Sequence, residues 1–366
     1  MTGRSDPSDP PMSTPAAPRR GLVLGGGGVL GGAWLTGALH AIESQWQWDL
    51  QAITTVLGTS AGSVVGALIA GGASAEDMVA HQHGRRWAAG ALREIAWDYE
   101  TAVGGQLPPR PHLLGPSSPR LLADAVRRLP FAPAVERRLP SAVERRLPDP
   151  IDHPLTRGAV IAGLIPAGRG SLAALRDLGD RLQRGSTSPV RLRVTAMNLD
   201  SGALTVFGAP GAPVAGWGDA LAASCAIPGW FAPVRIHGVR YVDGGAVSTT
   251  NADQLIGCDL TEAVVIVPSG TTVRHPPTGV RERVSWRWRT RITVRARAEA
   301  ARLAADGVAV TLLIPGEEDL EVLGRNSMAA GRRLAVMHTA MRTVRGSLTA
   351  GGSPLMRGVP VDGRRS

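Results

Sequence analysis

Short apolar runs that end in glycine dominate the first seventy residues and predict buried strands. Two such strands, residues 21–24 and 53–57, are each followed by a glycine-containing turn and an apolar segment. The first turn, 25–32, is expected to be a loop, and helices are expected over 33–44 and 63–70. Strand, glycine turn and helix in succession, twice over, indicate a parallel sheet with crossover helices.

The middle of the chain lacks this pattern. Residues 104–184 are rich in Pro, Arg and Leu and give weak strand signals. They include a tandem repeat, in which the heptapeptide Ala-Val-Glu-Arg-Arg-Leu-Pro occurs at 134–140 and again at 142–148. Proline prevents one continuous helix through the copies. This lid-like insertion is either a tolerant surface duplication or a basic amphipathic lid that touches a membrane.

The alternation of strands and helices returns after the insertion. Apolar and β-branched runs predict strands over 192–197, 239–242, 263–267 and 308–314. Helices are predicted over 217–225, 289–305 and 327–344. The pattern therefore favours one large α/β domain over 21–350, between a disordered tail at 1–20 and a flexible tail at 351–366.

Charge and cysteine content indicate which binding partners and which cellular compartment suit the chain. The chain has 40 basic residues, all of them arginine, against 30 acidic ones, which gives a net charge of +10. Nucleic acid, an anionic membrane or an anionic substrate would each suit that charge. The two cysteines, Cys225 and Cys258, predict reduced thiols in a cytoplasmic protein. Neither a secretory signal nor a transmembrane helix is expected, because apolar runs are short.

Ser60 lies in Gly58-Thr59-Ser60-Ala61-Gly62, between a predicted strand and a predicted helix. A serine nucleophile needs such a sharp strand-to-helix turn, with small neighbours at Gly58 and Gly62 and a helix N-terminus behind it. The alternative is a tight turn whose serine only caps the helix.

The first glycine loop, Gly26 to Gly31, fits the spacing G-x-G-x-x-G between a strand and a helix. Such a loop binds either a dinucleotide pyrophosphate or the oxyanion of a tetrahedral intermediate. A dinucleotide site needs an acidic residue at the end of the next strand. That position holds the Ser60 turn, which favours the oxyanion hole.

Asp243 follows a predicted strand in Tyr-Val-Asp-Gly-Gly. Alone, Asp-Gly after a strand is a common turn signal. The apolar segment 222–234 precedes it, and Ile227, Pro228 and Phe231 in this segment could line an acyl pocket. His81 and His83 stand one residue apart on a predicted helix and are expected at the surface, so no metal site is predicted.

In this order, the glycine loop, the Gly-Thr-Ser-Ala-Gly turn, the segment Ala-Ser-Cys-Ala-Ile-Pro-Gly and the Asp-Gly-Gly turn resemble the patatin-like phospholipases. The resemblance implies a three-layer α/β/α fold with a mostly parallel central sheet and an inserted helical lid region. It also implies cofactor-free hydrolysis of lipid acyl esters by a Ser–Asp dyad. Ser60 would be the nucleophile, Asp243 its base, and the amides of Gly26, Gly27 and Gly28 the oxyanion donors. One departure is Leu30, where many members carry a basic residue.

Two other functions compete with this one. A histidine-assisted α/β-hydrolase could draw on His237, His275 or His338, although such folds place more sheet before the nucleophile. Interleaved Arg and Trp over 281–297 could bind an anionic membrane peripherally, or form only a solvated basic helix. A membrane- or nucleic-acid-binding scaffold with a degenerate site is the alternative function, and nucleic acid is the less expected partner.

Overall fold

The computed structural model describes residues 17–87, 115–127 and 155–349, together with Arg93. The repeat at 134–148, much of the predicted insertion and the C-terminal segment 351–366 lie outside these residues. No helix in the described part of the chain is long and apolar enough to cross a membrane.

Among the described residues, eight strands form one mixed sheet in the order β5-β6-β3-β2-β1-β7-β8, with β4 paired to β3. The strands β3, β2, β1, β7 and β8 run parallel. Strands β4 and β6 each pair antiparallel with β3, and β5 pairs antiparallel with β6. The bounds are β1 Arg20–Leu24, β2 Thr55–Thr59, β3 Arg191–Asn198, β4 Leu204–Phe207, β5 Val234–Ile236, β6 Val239–Asp243, β7 Glu262–Ile266 and β8 Ala309–Leu313.

Ten helices are described around this sheet. They are α1 Gly28–Trp46, α2 Ala61–Ala70, α3 Ala75–Gln82, α4 Pro119–Arg127, α5 Arg157–Leu164, α6 Ala173–Gly185, α7 Trp217–Ser224, α8 Val280–Ala305, α9 Glu317–Leu323 and α10 Arg333–Thr349.

Successive side chains of a strand point to opposite faces of the sheet, and in the central strands both faces are buried. In β1, Leu22 and Leu24 join the core shared with α1, α2, α6, α7 and α10. Val23 faces the other way, into a second core closed by Ala296, Ala300 and neighbouring residues of α8. The three-layer α/β/α arrangement expected from the sequence is confirmed.

Helix starts are where the sequence predictions were wrong. The expected loop 25–32 is shorter, because α1 begins at Gly28 despite glycine's low helix propensity. The long basic helix α8 begins at Val280, nine residues before its predicted start. The last helix begins only at Arg333, because the preceding residues Ser327 and Met328 lie against Gly28 instead.

Part of the predicted insertion belongs to the main body of the domain. Leu175, Leu178 and Leu182 of α6 recur at helical spacing and are buried in the core beneath α2 and α7. Helices α4 and α5 instead form a small separate cluster against the ends of β3 and β6, with Leu121 and Met197 at its centre.

Helices α1 and α10 pack at close range through Gly37. A Cβ atom added there would collide with the Met337 carbonyl oxygen and lie 2.9 Å from the Ala340 Cβ. Because the obstruction is helix backbone, it cannot be relieved by turning a side chain.

We expect Gly37→Ala to lower the free energy of unfolding by about 2 kcal/mol, through overpacking of this contact. Gly346→Ala in α10 is the matched control. It meets nothing within 4 Å and should stabilise the helix by about 0.5–1 kcal/mol. Denaturant unfolding of both variants measures the difference; equal effects would contradict the close contact.

Candidate active site

Ser60 occupies the sharp turn between β2 and α2. Its backbone is left-handed, with φ 53° and ψ −124°, a conformation that costs a non-glycine residue roughly 1–3 kcal/mol. Side chains at Gly58 and Gly62 would collide with backbone, at Ser63 and at the Leu24 carbonyl respectively. The two glycines therefore let the turn form, and the strain presents the Ser60 side chain at the carboxyl edge of the sheet.

Asp243, the last residue of β6, lies at the same level of the sheet as Ser60. The register pairs Thr59 with Thr195 and Asp243 with Ala196, so β3 alone separates the two segments. The end of α7 bridges them. Ser224 Oγ accepts from the Ser60 amide at 2.8 Å, and the Ala226 carbonyl accepts from the Asp243 amide at 3.0 Å.

The Asp243 carboxylate is buried, with 6% of its surface exposed. Burial raises its pKa from 3.8 to about 6, while hydrogen bonds from the Gly245 amide, at 2.7 Å, and from the Ser60 side chain pull it down. The carboxylate is therefore a stronger base than a solvated aspartate, and its interaction with the Ser60 side chain places the two residues beside each other.

The glycine loop lies beside Ser60, but its residues differ in role. A Cβ at Gly26 would lie 3.3 Å from the Ser60 Cβ. The Gly26 amide already donates to the Thr249 carbonyl at 2.8 Å, so its assignment as an oxyanion donor is corrected. The amides of Gly27 and Gly28 have no acceptor among the described residues. Leu30, in place of a basic residue, is fully buried in the core.

Buried polar side chains connect three segments of the site: the glycine loop, the Ser60 turn and the residues that follow Asp243. Asn251 donates to Thr59 Oγ1 at 3.2 Å and to the Ser248 carbonyl at 2.6 Å. Glu299 of α8 accepts two hydrogen bonds, one from the Thr250 hydroxyl at 2.5 Å and one from the Ala252 amide at 3.0 Å. Thr249 lies next to Thr250, and its carbonyl accepts the hydrogen bond from the Gly26 amide. Helix α8 therefore positions the glycine loop indirectly. Nothing in the sequence pattern singled out these residues.

An apolar cavity of about 90 Å³ opens beside Ser60. Ile227 and Phe231, which the sequence suggested for an acyl pocket, are among the residues that line it. Pro228 does not line it, because it lies within a turn closed by a hydrogen bond from the Trp230 amide to the Ile227 carbonyl. Most of the other lining residues come from four helices, and no sequence motif indicated them: Val29, Thr36, Val64, Val65, Leu68, Met78, Gln82, Leu175 and Leu178. Trp87 and Leu172 complete the wall from outside the helices.

The histidines of the rival mechanism lie elsewhere. His237 precedes β6, at the opposite end of that strand from Asp243, and its ring contacts the Val214 carbonyl at 2.8 Å. His338 contacts His83 at 3.1 Å, and His275 lines a separate cleft between α8 and α9. The expectation that His81 is a surface residue was wrong, because it is buried against the Trp87 ring.

Cys225 sits between the two bridging hydrogen bonds of α7, close to Ser60. Burial, and next the charge of Asp243, raise the pKa of its thiol. A raised pKa favours the neutral thiol, which is the less nucleophilic form of cysteine. Both cysteines are free.

The Arg/Trp-rich segment 281–297 lies within α8, and its members have different environments. Arg289 is buried and donates to the carbonyls of Pro268 and Gly270, just after β7. Trp286 is half-buried, and its indole donates to the Val273 carbonyl at 2.9 Å. Five of the exposed residues lie along one face of the helix, which we call the α8 stripe: Val280, Val284, Arg287, Trp288 and Arg291.

Within residues 17–87, 115–127 and 155–349, no group of three or more His, Cys, Asp or Glu side chains could hold a metal ion.

Solved structures resemble the chain only distantly. VipD from Legionella pneumophila is 14% identical over 92% of this chain and 67% of its own, with a TM-score of 0.42. The type III effector protein ExoU is 18% identical over 91% of this chain and 53% of its own, with a TM-score of 0.34. The chain thus spans about half to two thirds of their length.

Comparison with protein-family sequence models identifies the family of the chain, which the distant structural matches do not. No curated protein matches the chain. The sequence model of the patatin-like phospholipase family, however, matches residues 22–256, more than half of the chain. That range contains the glycine loop, the Ser60 turn and Asp243, and it confirms the resemblance seen in the motifs. The chain therefore belongs to the patatin-like phospholipase family.

Proposed function

We propose that the protein hydrolyses acyl ester bonds of lipids, phospholipids or lysophospholipids among them, with Ser60 as nucleophile and Asp243 as general base. One observation carries the proposal. A buried carboxylate of raised pKa interacts with the side chain of a serine on a strained turn, and that serine lines an apolar cavity. The cavity suits an acyl chain, and family membership supports the substrate class.

In the acylation step, Ser60 Oγ attacks the ester carbonyl carbon while its proton passes to Asp243. The carbonyl oxygen becomes an oxyanion, which the amides of Gly27 and Gly28 stabilise. The C–O bond to the alcohol then breaks, and the alcohol leaves with the proton from Asp243. Water attacks the acyl-serine with Asp243 again as base, which releases the carboxylic acid and restores Ser60.

The helix termini at the site favour this charge development. Ser60 precedes the first turn of α2, and Gly27 precedes the first turn of α1. Both N-termini direct partial positive charge toward the region where the oxyanion forms. This arrangement compensates for the absence of a basic side chain at Leu30.

The α8 stripe supports a second element of the proposal, docking on an anionic lipid surface. Val280, Val284 and Trp288 are 76%, 66% and 52% exposed and recur every four residues, so they share one helix face. Arg287 and Arg291 flank them. Arg289 anchors this part of α8 to the turn after β7, at the carboxyl edge where Ser60 lies. Docking through the stripe would bring that edge toward the lipid.

We expect Ser60→Ala and Asp243→Asn each to lower kcat/KM for a 4-nitrophenyl ester series by at least about 10³-fold, since each removes one half of the dyad. A fluorophosphonate probe should label the wild type but not Ser60→Ala. His237→Ala is the control and should keep wild-type turnover. Loss of activity in the histidine variant would overturn the Ser–Asp assignment.

The pH dependence of kcat/KM should report the pKa of Asp243. Its raised value means that the carboxylate takes up a proton, and stops acting as base, as the pH falls through about 6. Activity should therefore be constant above this pH and fall about tenfold per pH unit below it. A limb near pH 4 would contradict burial of the base.

Reversing charge on the stripe should weaken binding to anionic vesicles. We expect Arg287→Glu with Arg291→Glu to reduce co-sedimentation with phosphatidylglycerol vesicles at least about tenfold, and to leave weak binding to phosphatidylcholine unaltered. Arg184→Glu with Arg191→Glu changes the net charge equally at exposed sites elsewhere. Equal losses in both double variants would assign binding to net charge alone.

A further inference from the structure

The Gly27 amide, one of the two oxyanion donors in the proposed mechanism, takes its direction from the carbonyl that precedes it. Gly26 C=O and Gly27 N–H belong to one peptide unit. Because that unit is planar and trans, the N–H points in the direction opposite to the C=O. A group that holds the Gly26 carbonyl therefore also orients the Gly27 amide.

The Gly26 carbonyl is held by Ser269, in the turn that follows β7. The Ser269 hydroxyl donates to this carbonyl at 2.7 Å, and only 6% of the serine's surface is exposed. The Gly26 carbonyl thus points to Ser269, and the Gly27 N–H points away from it. A hydrogen bond shielded from water is electrostatically stronger than one in solvent, and it polarises the peptide so that its N–H becomes a better donor.

The glycine loop lies between Ser269 and Ser60. On one side, a Cβ atom added at Gly27 would lie 3.2 Å from Pro268 Cγ and 3.3 Å from Ser269 Oγ. On the other side, a Cβ atom added at Gly26 would lie 3.3 Å from the Ser60 Cβ. An N–H that points away from Ser269 therefore points across the loop, toward the side on which Ser60 lies.

The turn that carries Ser269 is fixed from α8. The buried Arg289 guanidinium donates to the carbonyls of the two neighbours of Ser269, at 3.3 and 3.4 Å. One helical turn later, Thr293 Oγ1 accepts from the Thr271 amide at 2.9 Å. Ser269 is thus held by contacts that do not involve the glycine loop, as a residue that orients the loop requires.

We propose that Ser269 is a positioning residue for the oxyanion hole. Its hydroxyl holds the Gly26 carbonyl so that the Gly27 amide is directed toward the oxyanion that forms at Ser60. Ser269 acts through this peptide and not by contact with the substrate. It lies outside residues 22–256, the range that matches the family model. The inference rests on the hydrolase function proposed above and adds the residue that orients one of its oxyanion donors.

The test is Ser269→Ala, which removes the hydroxyl and leaves the rest of the turn. For a 4-nitrophenyl ester, we expect kcat to fall at least about tenfold while KM stays within about twofold of the wild-type value. The reason is that the oxyanion exists only in the transition state, whereas the acyl chain still binds in the cavity. The loss of activity below about pH 6, which reports Asp243, should keep its midpoint.

Ser186→Ala is the matched control. The Ser186 hydroxyl also donates to a backbone carbonyl, that of Ala70 at 2.5 Å, at the opposite end of α2 from Ser60. This variant should keep wild-type kcat and KM. A wild-type kcat in Ser269→Ala, or equal losses in the two serine variants, would overturn the positioning role and leave the hydrolase intact. A loss carried entirely by KM would overturn it as well.

Absence of turnover in the wild type would instead count against the hydrolase function. The ¹H–¹⁵N spectrum then tests the peptide directly, because the Gly27 nitrogen shares its peptide bond with the Gly26 carbonyl. We expect the Gly27 resonance to shift in Ser269→Ala and to keep its position in Ser186→Ala. A Gly27 resonance at its wild-type position in both variants would overturn the proposal.

Discussion

The left-handed backbone of Ser60 is the constraint on which the rest of the site depends. It holds the serine at the edge of the sheet, and it exists only because Gly58 and Gly62 allow backbone to approach backbone. A strain of this size persists only where the surroundings fix it from several sides. Here Ser224 fixes the Ser60 amide, and the Ser63 hydroxyl holds its carbonyl at 2.6 Å.

Burial of Asp243 has a cost in free energy and a consequence for the chemistry of the site. Ionising a carboxyl group whose pKa is raised from 3.8 to about 6 costs about 3 kcal/mol more than ionising a solvated one. The bridge from Ser224 to Ala226 keeps the carboxylate in place despite this cost. The raised pKa is what the proposed mechanism requires of its base, and burial raises the pKa of the neighbouring Cys225 thiol as well.

The active-site elements and the outward stripe of α8 meet at one edge of the sheet. Arg289 and Glu299, both buried on α8, hold the turn after β7 and the segment after Asp243. The same helix exposes Val280, Val284 and Trp288 to solvent. Helix α8 thus positions the loops of the site from one face and presents apolar and basic residues on the other.

The sequence by itself determined the strand–turn–helix units, because glycine turns and apolar runs are local signals. The order of its motifs indicated the patatin-like family and, through that resemblance, the three-layer fold. Only the tertiary structure decided which loop amides are available, since Thr249, distant in sequence, occupies that of Gly26. It also decided that Arg289 is buried, that Pro228 leaves the cavity and that Gln82 and Trp87 enter it. Burial and hydrogen-bond partners come from residues far apart in the chain, so no local pattern encodes them.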